Sequence, residues 1–240
     1  MLPLVMHANM MVMNFREGFE RAREEFILNG KVSAESLALI KRGAFLLPGM
    51  GEQDVEALTP DHAEMQSMLD ALMYRVDVIP AGLALGQAAY ESGYGTSRFA
   101  VEGNSLFGQW TYKDEGIKPR EQRKDSKGDH RIKAFEWPFD SVRGYFINLC
   151  SHPAYEDFRR LRANLRAAGK PLDSMVMADG LLRYSERGQE YVDTLKGIMR
   201  VNKLSIADNA VFRDEPLRVL VSEESREATE LMKARIAEAA

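Results

Sequence analysis

Cysteine is almost absent: Cys150 stands alone among 240 residues, which excludes an internal disulfide and any cysteine-built metal cluster. Histidine is sparse as well. His7, His62, His130 and His152 lie far apart and form no HExxH or similar paired spacing, so no metal centre is expected. A dominant charge sign is also missing: 36 acidic against 32 basic side chains leave a net charge of -4, without the basic excess that nucleic-acid binding needs. No nucleic-acid partner is expected. No apolar run approaches the roughly 20 residues that cross a bilayer, so no transmembrane segment is expected. A Walker loop is lacking, and the Gly93-Tyr94-Gly95 pair has neither the third glycine nor the preceding strand of a dinucleotide fingerprint. No cofactor is expected.

What is present fits a globular chain with a sizeable core, at 45% apolar and 28% charged residues. The start, MLPLVMHANMMVMNF, has no basic end, long apolar core or small-residue cleavage site, so it does not read as a signal peptide. Its apolar residues, Leu4, Val5, Met11, Val12, Phe15 and Phe19, keep helical spacing and predict a helix to about Leu28, stopped by Asn29-Gly30. Ser33 predicts the cap of a helix over 34–46. Thr59-Pro60 predicts the start of another, with Met65, Met68, Leu69, Leu72 and Met73 as its buried stripe, and Ile79-Pro80 opens a third. The helical period then disappears over 109–137, where 110–112 and 131–135 suit strands and a mobile loop is expected over 118–129. Helices resume near Pro138, Pro153, Pro171 and after Ser185, and residues 222–240 favour helix again. The expected fold class is α+β, mainly α-helical, with a small irregular β subregion. Residues 1–58 are expected as a helical extension packing on a domain over 59–204. Residues 205–240 form an appended tail, a candidate docking segment for a protein partner.

Chemistry concentrates in residues 84–110, ALGQAAYESGYGTSRFAVEGNSLFGQW. Leu83, Ala84, Gln87, Ala88 and Glu91 fall on one side of a helix at three- and four-residue steps. Gly93 and Gly95 end that helix, because positive φ costs glycine little. A carboxyl group at the end of an apolar helix is partly desolvated, which disfavours its charge and lets it donate a proton near neutral pH. Glycosidases protonate their leaving oxygen with such a group. The plain alternative is a surface glutamate at a helix end, and composition alone does not separate the two. Cys150 reads as core.

Glu91-Ser92-Gly93-Tyr94-Gly95-Thr96-Ser97-Arg98-Phe99, with Gly103-Asn104-Ser105-Leu106-Phe107-Gly108-Gln109-Trp110, resembles the catalytic segment of the Bax-type proteins in the bacterial β-N-acetylglucosaminidase family, glycoside hydrolase family 73. Tyr94 stands where many members carry tryptophan. Further blocks extend the resemblance over about 60–204: Arg75 to Pro80, Gly116 to Pro119, Ser141-Val142 with Tyr145, Asn148-Leu149, and Tyr184-Ser185-Glu186-Arg187-Gly188 with Tyr191.

The resemblance implies a lysozyme-like domain that hydrolyses the bond after N-acetylglucosamine in peptidoglycan glycan strands, and so a place in the periplasm or cell envelope. It implies Glu91 as general acid and Tyr184 as the active-site tyrosine. The second group stays open. Asp114, Glu115, Glu121, Asp125 and Asp129 are candidates, with Glu121 favoured by its distance before the Phe135 strand, and the sugar's own acetamido oxygen is another route. Substrate contacts are expected from Gln87, Tyr94, Asn104, Gln109, Trp110 and Tyr191, with Tyr112 as a further stacking ring. Leu106 and Phe107 read first as core. The rival functions are a lytic transglycosylase, which also uses one glutamate near an ESG-like motif, and a noncatalytic peptidoglycan-binding or scaffold domain.

Overall fold

Leu2–Asn29 form one helix, α1, whose buried residues Val5, Ala8, Phe19 and Ala22 recur at helical intervals along one side. The computed structural model describes residues 1–111, 116–118, 131–212, 230 and 233. Met1–Ala210 make one compact unit and Val211–Ala240 another. Gly30 closes α1 in the left-handed region at φ 67, donating its N–H to the Phe26 carbonyl. Ser33 caps α2, Ala34–Gly43, by accepting from the Ser36 N–H at 3.2 Å, and the chain then tightens into a 3-10 turn over Ala44–Leu46.

Two features depart from expectation here. A short helix, α3, spans Glu52–Glu56, and the helix expected from Thr59-Pro60 begins instead at Met65 and runs to Arg75 as α4. The cause is local hydrogen bonding. The Pro60 carbonyl accepts from the Val32 N–H at 2.9 Å and the Thr59 carbonyl from the His62 N–H at 3.2 Å, so both carbonyls serve a turn held against the α1–α2 connection.

Helix α5, Ala81–Ser92, is the centre of the first unit. Its residues are small and it is buried nearly all round, including Gly82, Ala84, Gly86, Gln87 and Ala88. Small side chains let neighbours approach closely: a Cβ at Gly86 would lie 2.8 Å from Met199 Cγ, and one at Gly82 would lie 2.5 Å from the Leu204 carbonyl oxygen and 2.6 Å from Ser174 Oγ. Gly82→Ala is therefore expected to destabilise the protein by about 1–3 kcal/mol, the usual cost of overpacking. Thermal unfolding checks this, and an unchanged Tm would contradict the close approach.

Beyond α5, a helix that the residue pattern did not announce, α6, spans Arg98–Gly103, capped by Ser97. Three short strands follow, β1 at Trp110–Thr111, β2 at Gly116–Ile117 and β3 at Arg131–Lys133. They form an antiparallel sheet in the order β1-β3-β2, with Trp110 opposite Ile132 and Ile117 opposite the same residue. The remaining helices are α7, Pro138–Ser151, α8, Glu156–Ala167, α9, Ser174–Met177, and α10, Gln189–Val201, with 3-10 turns at Pro153–Tyr155, Ala178–Leu181 and Leu204–Asn209. The fold is thus mainly α-helical α+β, with one small sheet among the described residues. The predicted loop 118–129 and the predicted tail helix fall largely outside those residues.

Two apolar clusters make the core, one around Phe19, Ile40, Leu69 and Leu72 and one around Leu83, Tyr145, Tyr191 and Leu195. Buried arginines tie the elements that carry them. Arg162, on α8, donates to the carbonyls of Asp77 (2.8 Å), Arg75 (2.6 Å) and Tyr74 (3.3 Å), where α4 ends and the chain turns toward α5. Asp77 accepts two bonds from Arg166 at 2.8 and 3.0 Å. Burial works against its charge, but Arg166, Arg162 and Arg16 more than offset that and hold its carboxyl below the ordinary value. At the start of α5 itself, Asp208 accepts from the Gly82 N–H at 2.8 Å and the Ser174 N–H at 2.9 Å. Residues 205–210, expected in the tail, thereby belong with the first unit.

Candidate active site

Two hollows decide where chemistry is available. One, about 410 Å³, lies among Phe15, Phe45, Phe139 and Phe146 and has only arginine, Arg42 and Arg143, for charge. It offers no acid. The other, about 700 Å³, is a cleft lined by Glu91, Trp110, Tyr155, Tyr184, Glu186 and Arg187 among others.

Glu91 reaches this cleft because α5 ends beside it. Gly93 at φ 57, Tyr94 at φ 58 and Gly95 at φ 80 turn the chain away, and the Gly95 N–H donates to Ser92 Oγ at 2.8 Å. The Glu91 carboxyl is half-buried. Oε1 accepts from the Tyr191 hydroxyl at 3.2 Å, and Oε2 lies toward Gly108, where an added Cβ would stand 3.6 Å away. Burial pushes the Glu91 pKa up to about 7, with the Tyr191 hydrogen bond pulling the other way. A carboxyl so poised is part-protonated at neutral pH and can give its proton to a group in the cleft.

Tyrosines build the wall behind it. Tyr184 stacks on Tyr191 with ring centroids 5.5 Å apart and planes at 10°, and its hydroxyl donates to the Phe107 carbonyl at 3.4 Å. Burial, together with Tyr191 and Glu91, pushes that hydroxyl well above its usual pKa, so it stays a neutral donor. Phe107 is buried and stacks on Tyr145 at 4.0 Å.

The residues expected to touch substrate divide into three groups. Trp110, 49% exposed, stands in the cleft wall on β1. Gln109 lines the same wall, but its amide is held at both ends by Ser141, donating to the backbone carbonyl at 2.9 Å and accepting from Oγ at 3.2 Å. Gln87 and Tyr191 are a correction: both are fully buried, and a side chain sealed from solvent cannot hold a glycan. Gln87 Nε2 donates to the Tyr191 hydroxyl at 2.9 Å, and Gln87 Oε1 accepts from the Tyr145 hydroxyl at 2.6 Å.

Tyr94 and Asn104 do not line the cleft. Tyr94 is 64% exposed with its hydroxyl near Asn202, and Asn104 spends its amide on the carbonyls of Phe135 (3.1 Å) and Glu136 (3.0 Å). Glu121, with Asp114, Glu115, Asp125, Asp129 and Tyr112, lies outside the described residues. Sequence reasoning passed over Glu186, a second carboxylate in the cleft wall. Its signal was available, two residues after Tyr184 in a block already singled out. It also missed Arg187, which donates to the Tyr90 hydroxyl and pairs with Glu190 at 2.6 Å. Among the described residues no cluster of His, Cys, Asp or Glu could hold a metal ion, and no helix is long and apolar enough to cross a membrane.

Residues 67–204 match the glucosaminidase family, described as mannosyl-glycoprotein endo-beta-N-acetylglucosaminidase. The chain belongs to this family, which is of the glycosidase kind. A curated relative is Protein bax of Escherichia coli (strain K12), 35% identical over 138 residues, which are 58% of this chain and 48% of that protein. The match thus spans about half the length of that relative. No solved structure matches the chain.

Proposed function

We propose that this protein is a peptidoglycan hydrolase of the cell envelope that cleaves the β-1,4 bond after N-acetylglucosamine, with Glu91 as general acid. The observation that carries the reading is the half-buried Glu91 carboxyl, pushed up to about 7 at the edge of a 700 Å³ cleft. Such a group is protonated often enough near neutrality to serve the leaving oxygen. In the reaction Glu91 gives its proton to the glycosidic oxygen, the bond from C1 to that oxygen breaks with its electron pair going to oxygen, and water adds to C1 and loses a proton. The exposed face of Trp110 suits stacking on a sugar ring, and the neutral hydroxyl of Tyr184 is the candidate to hold the N-acetyl group or the water. The carboxylate that assists the water is Glu121, the candidate the sequence favours, or Glu186 of the cleft wall, or the substrate's acetamido oxygen takes that role.

Digestion of purified peptidoglycan followed by mass spectrometry tests the reading. Fragments with reducing-end N-acetylglucosamine and one added water are expected. Fragments ending in 1,6-anhydromuramic acid would instead make the protein a lytic transglycosylase, and glycan pulldown without new ends would make it a binding domain.

A further inference from the structure

We infer that Tyr145, Gln87 and Tyr191 form a one-way hydrogen-bond relay that reserves Oε2 of Glu91 for the transferable proton, with Gln87 and Tyr191 acting as positioning residues. The inference rests on the reading of Glu91 as general acid.

The direction follows from counting donors. Tyr145 is fully buried, and among the described residues the hydrogen bond of its hydroxyl is to Gln87 Oε1, at 2.6 Å. A buried hydroxyl proton needs an acceptor, and of the two ends of an amide only the oxygen accepts. The Gln87 oxygen must therefore face Tyr145, which turns its NH2 group toward the Tyr191 oxygen at 2.9 Å. Tyr191 has one proton, and with Gln87 donating to it that proton is left for Glu91 Oε1 at 3.2 Å. Because Oε1 already accepts, the acid proton resides on Oε2, toward Gly108 on the cleft wall.

With the amide reversed, Tyr191 would donate to Gln87 and accept from Oε1–H. The acid proton would then point into the core, away from any substrate. The relay thus does two things at once: it orients the proton outward, and it donates to the charged form of Glu91, which offsets part of the burial effect.

The titratable and charged groups that face Glu91 from the surrounding elements are Tyr191 on α10, Tyr184 ahead of it, Tyr145 on α7, Tyr155 before α8, Tyr90 on α5, and His152, Glu186 and Arg187 on the cleft wall. Of these, Tyr191 is the one that hydrogen-bonds the Glu91 carboxyl.

Tyr191→Phe removes the donor while keeping the ring that stacks on Tyr184. Gln87→Met keeps the length of Gln87 but removes the donor that fixes the direction of Tyr191, freeing that hydroxyl to accept from Glu91 Oε1–H. In both variants the charged form of Glu91 loses ground to the protonated form, so its titration moves to higher pH, by about one pH unit. The alkaline limb of kcat should follow it upward, with kcat itself lower by roughly tenfold in Gln87→Met, because the proton is captured on Oε1.

The experiment is a carboxyl-carbon NMR titration of Glu91 in the parent and the two variants, alongside pH profiles of glycan cleavage and Glu91→Gln as control. An upward titration in both variants, followed by the limb, supports the relay. A titration that stays put or falls while Glu91→Gln is inactive overturns the relay and leaves Glu91 as the acid. Full activity in Glu91→Gln overturns both. A purely structural role for Gln87 and Tyr191 would lower Tm or kcat at every pH without moving the titration.

Discussion

Glu91→Gln should fold, lose glycan cleavage by about 10²–10⁴-fold, the usual contribution of a positioned general acid, and yet be more stable than the parent at alkaline pH. The loss of activity follows because a carboxamide has no proton acidic enough for the leaving oxygen. The stability gain follows from linkage. The folded-state pKa of Glu91 is raised from 4.5 to about 7, so the folded protein binds an additional proton between those values. That contribution is fully present below about 4.5 and is lost as pH rises through about 7. Glutamine has nothing to lose over that interval. Its advantage over the parent should grow from near zero at pH 4.5 to about 2 kcal/mol at pH 8, a figure discounted from the full shift because the carboxyl is partly solvated. Chemical unfolding at the two pH values, with reducing-end release as the activity measure, checks both halves. Retained cleavage would sink the role of Glu91, and equal stability at pH 8 would show that the carboxyl is well hydrated.

The second large effect is structural. Arg162→Leu is expected to cost about 3–5 kcal/mol, in the range seen when a buried charge network loses one partner. Arg162 is 1% exposed and is the donor to three carbonyls at the exit of α4. Leucine fills part of the space but leaves those carbonyls without a donor. Asp77, which feels the Arg162 charge, keeps Arg166 and Arg16. A denaturant midpoint within error of the parent would contradict this account. Cleavage should fall with the folded fraction, since the same turn leads through Ile79 into the helix that carries Glu91.

What could be read from the residues followed local chemistry. Gly30, Ser33 and Gly93 act within four residues of themselves, as stop, cap and stop, and their meaning is visible in any short window. The place of Glu91 at the end of an apolar helix is legible for the same reason, from Ala84, Ala88 and the glycines that follow, although composition alone left a surface glutamate open.

The misreadings have the opposite character. Thr59-Pro60 has cap chemistry, but a hydrogen bond from Val32 outcompetes it. Helix α6 has six residues, too few to show a period. Gln87 sits on the same helix face as Glu91, and spacing alone suggested a shared ligand. What spacing cannot show is that Tyr191, 104 residues later, and Tyr145, 58 residues later, meet Gln87 in the interior. The tyrosines around the cleft look like ordinary core residues when taken one at a time, and only their assembly distinguishes them.

The bareness of α5 has a consequence for anyone who scans this protein by mutation. Neighbouring atoms press on both Gly82 and Gly86, and the helix is enclosed on nearly every side, so a saturation library would show an almost unbroken band of failures along it. Glu91 would be one dark column among many. Loss-of-function maps alone would mark glycines as catalytic, and assays that weigh abundance against turnover are what would bring the acid out of its own scaffold.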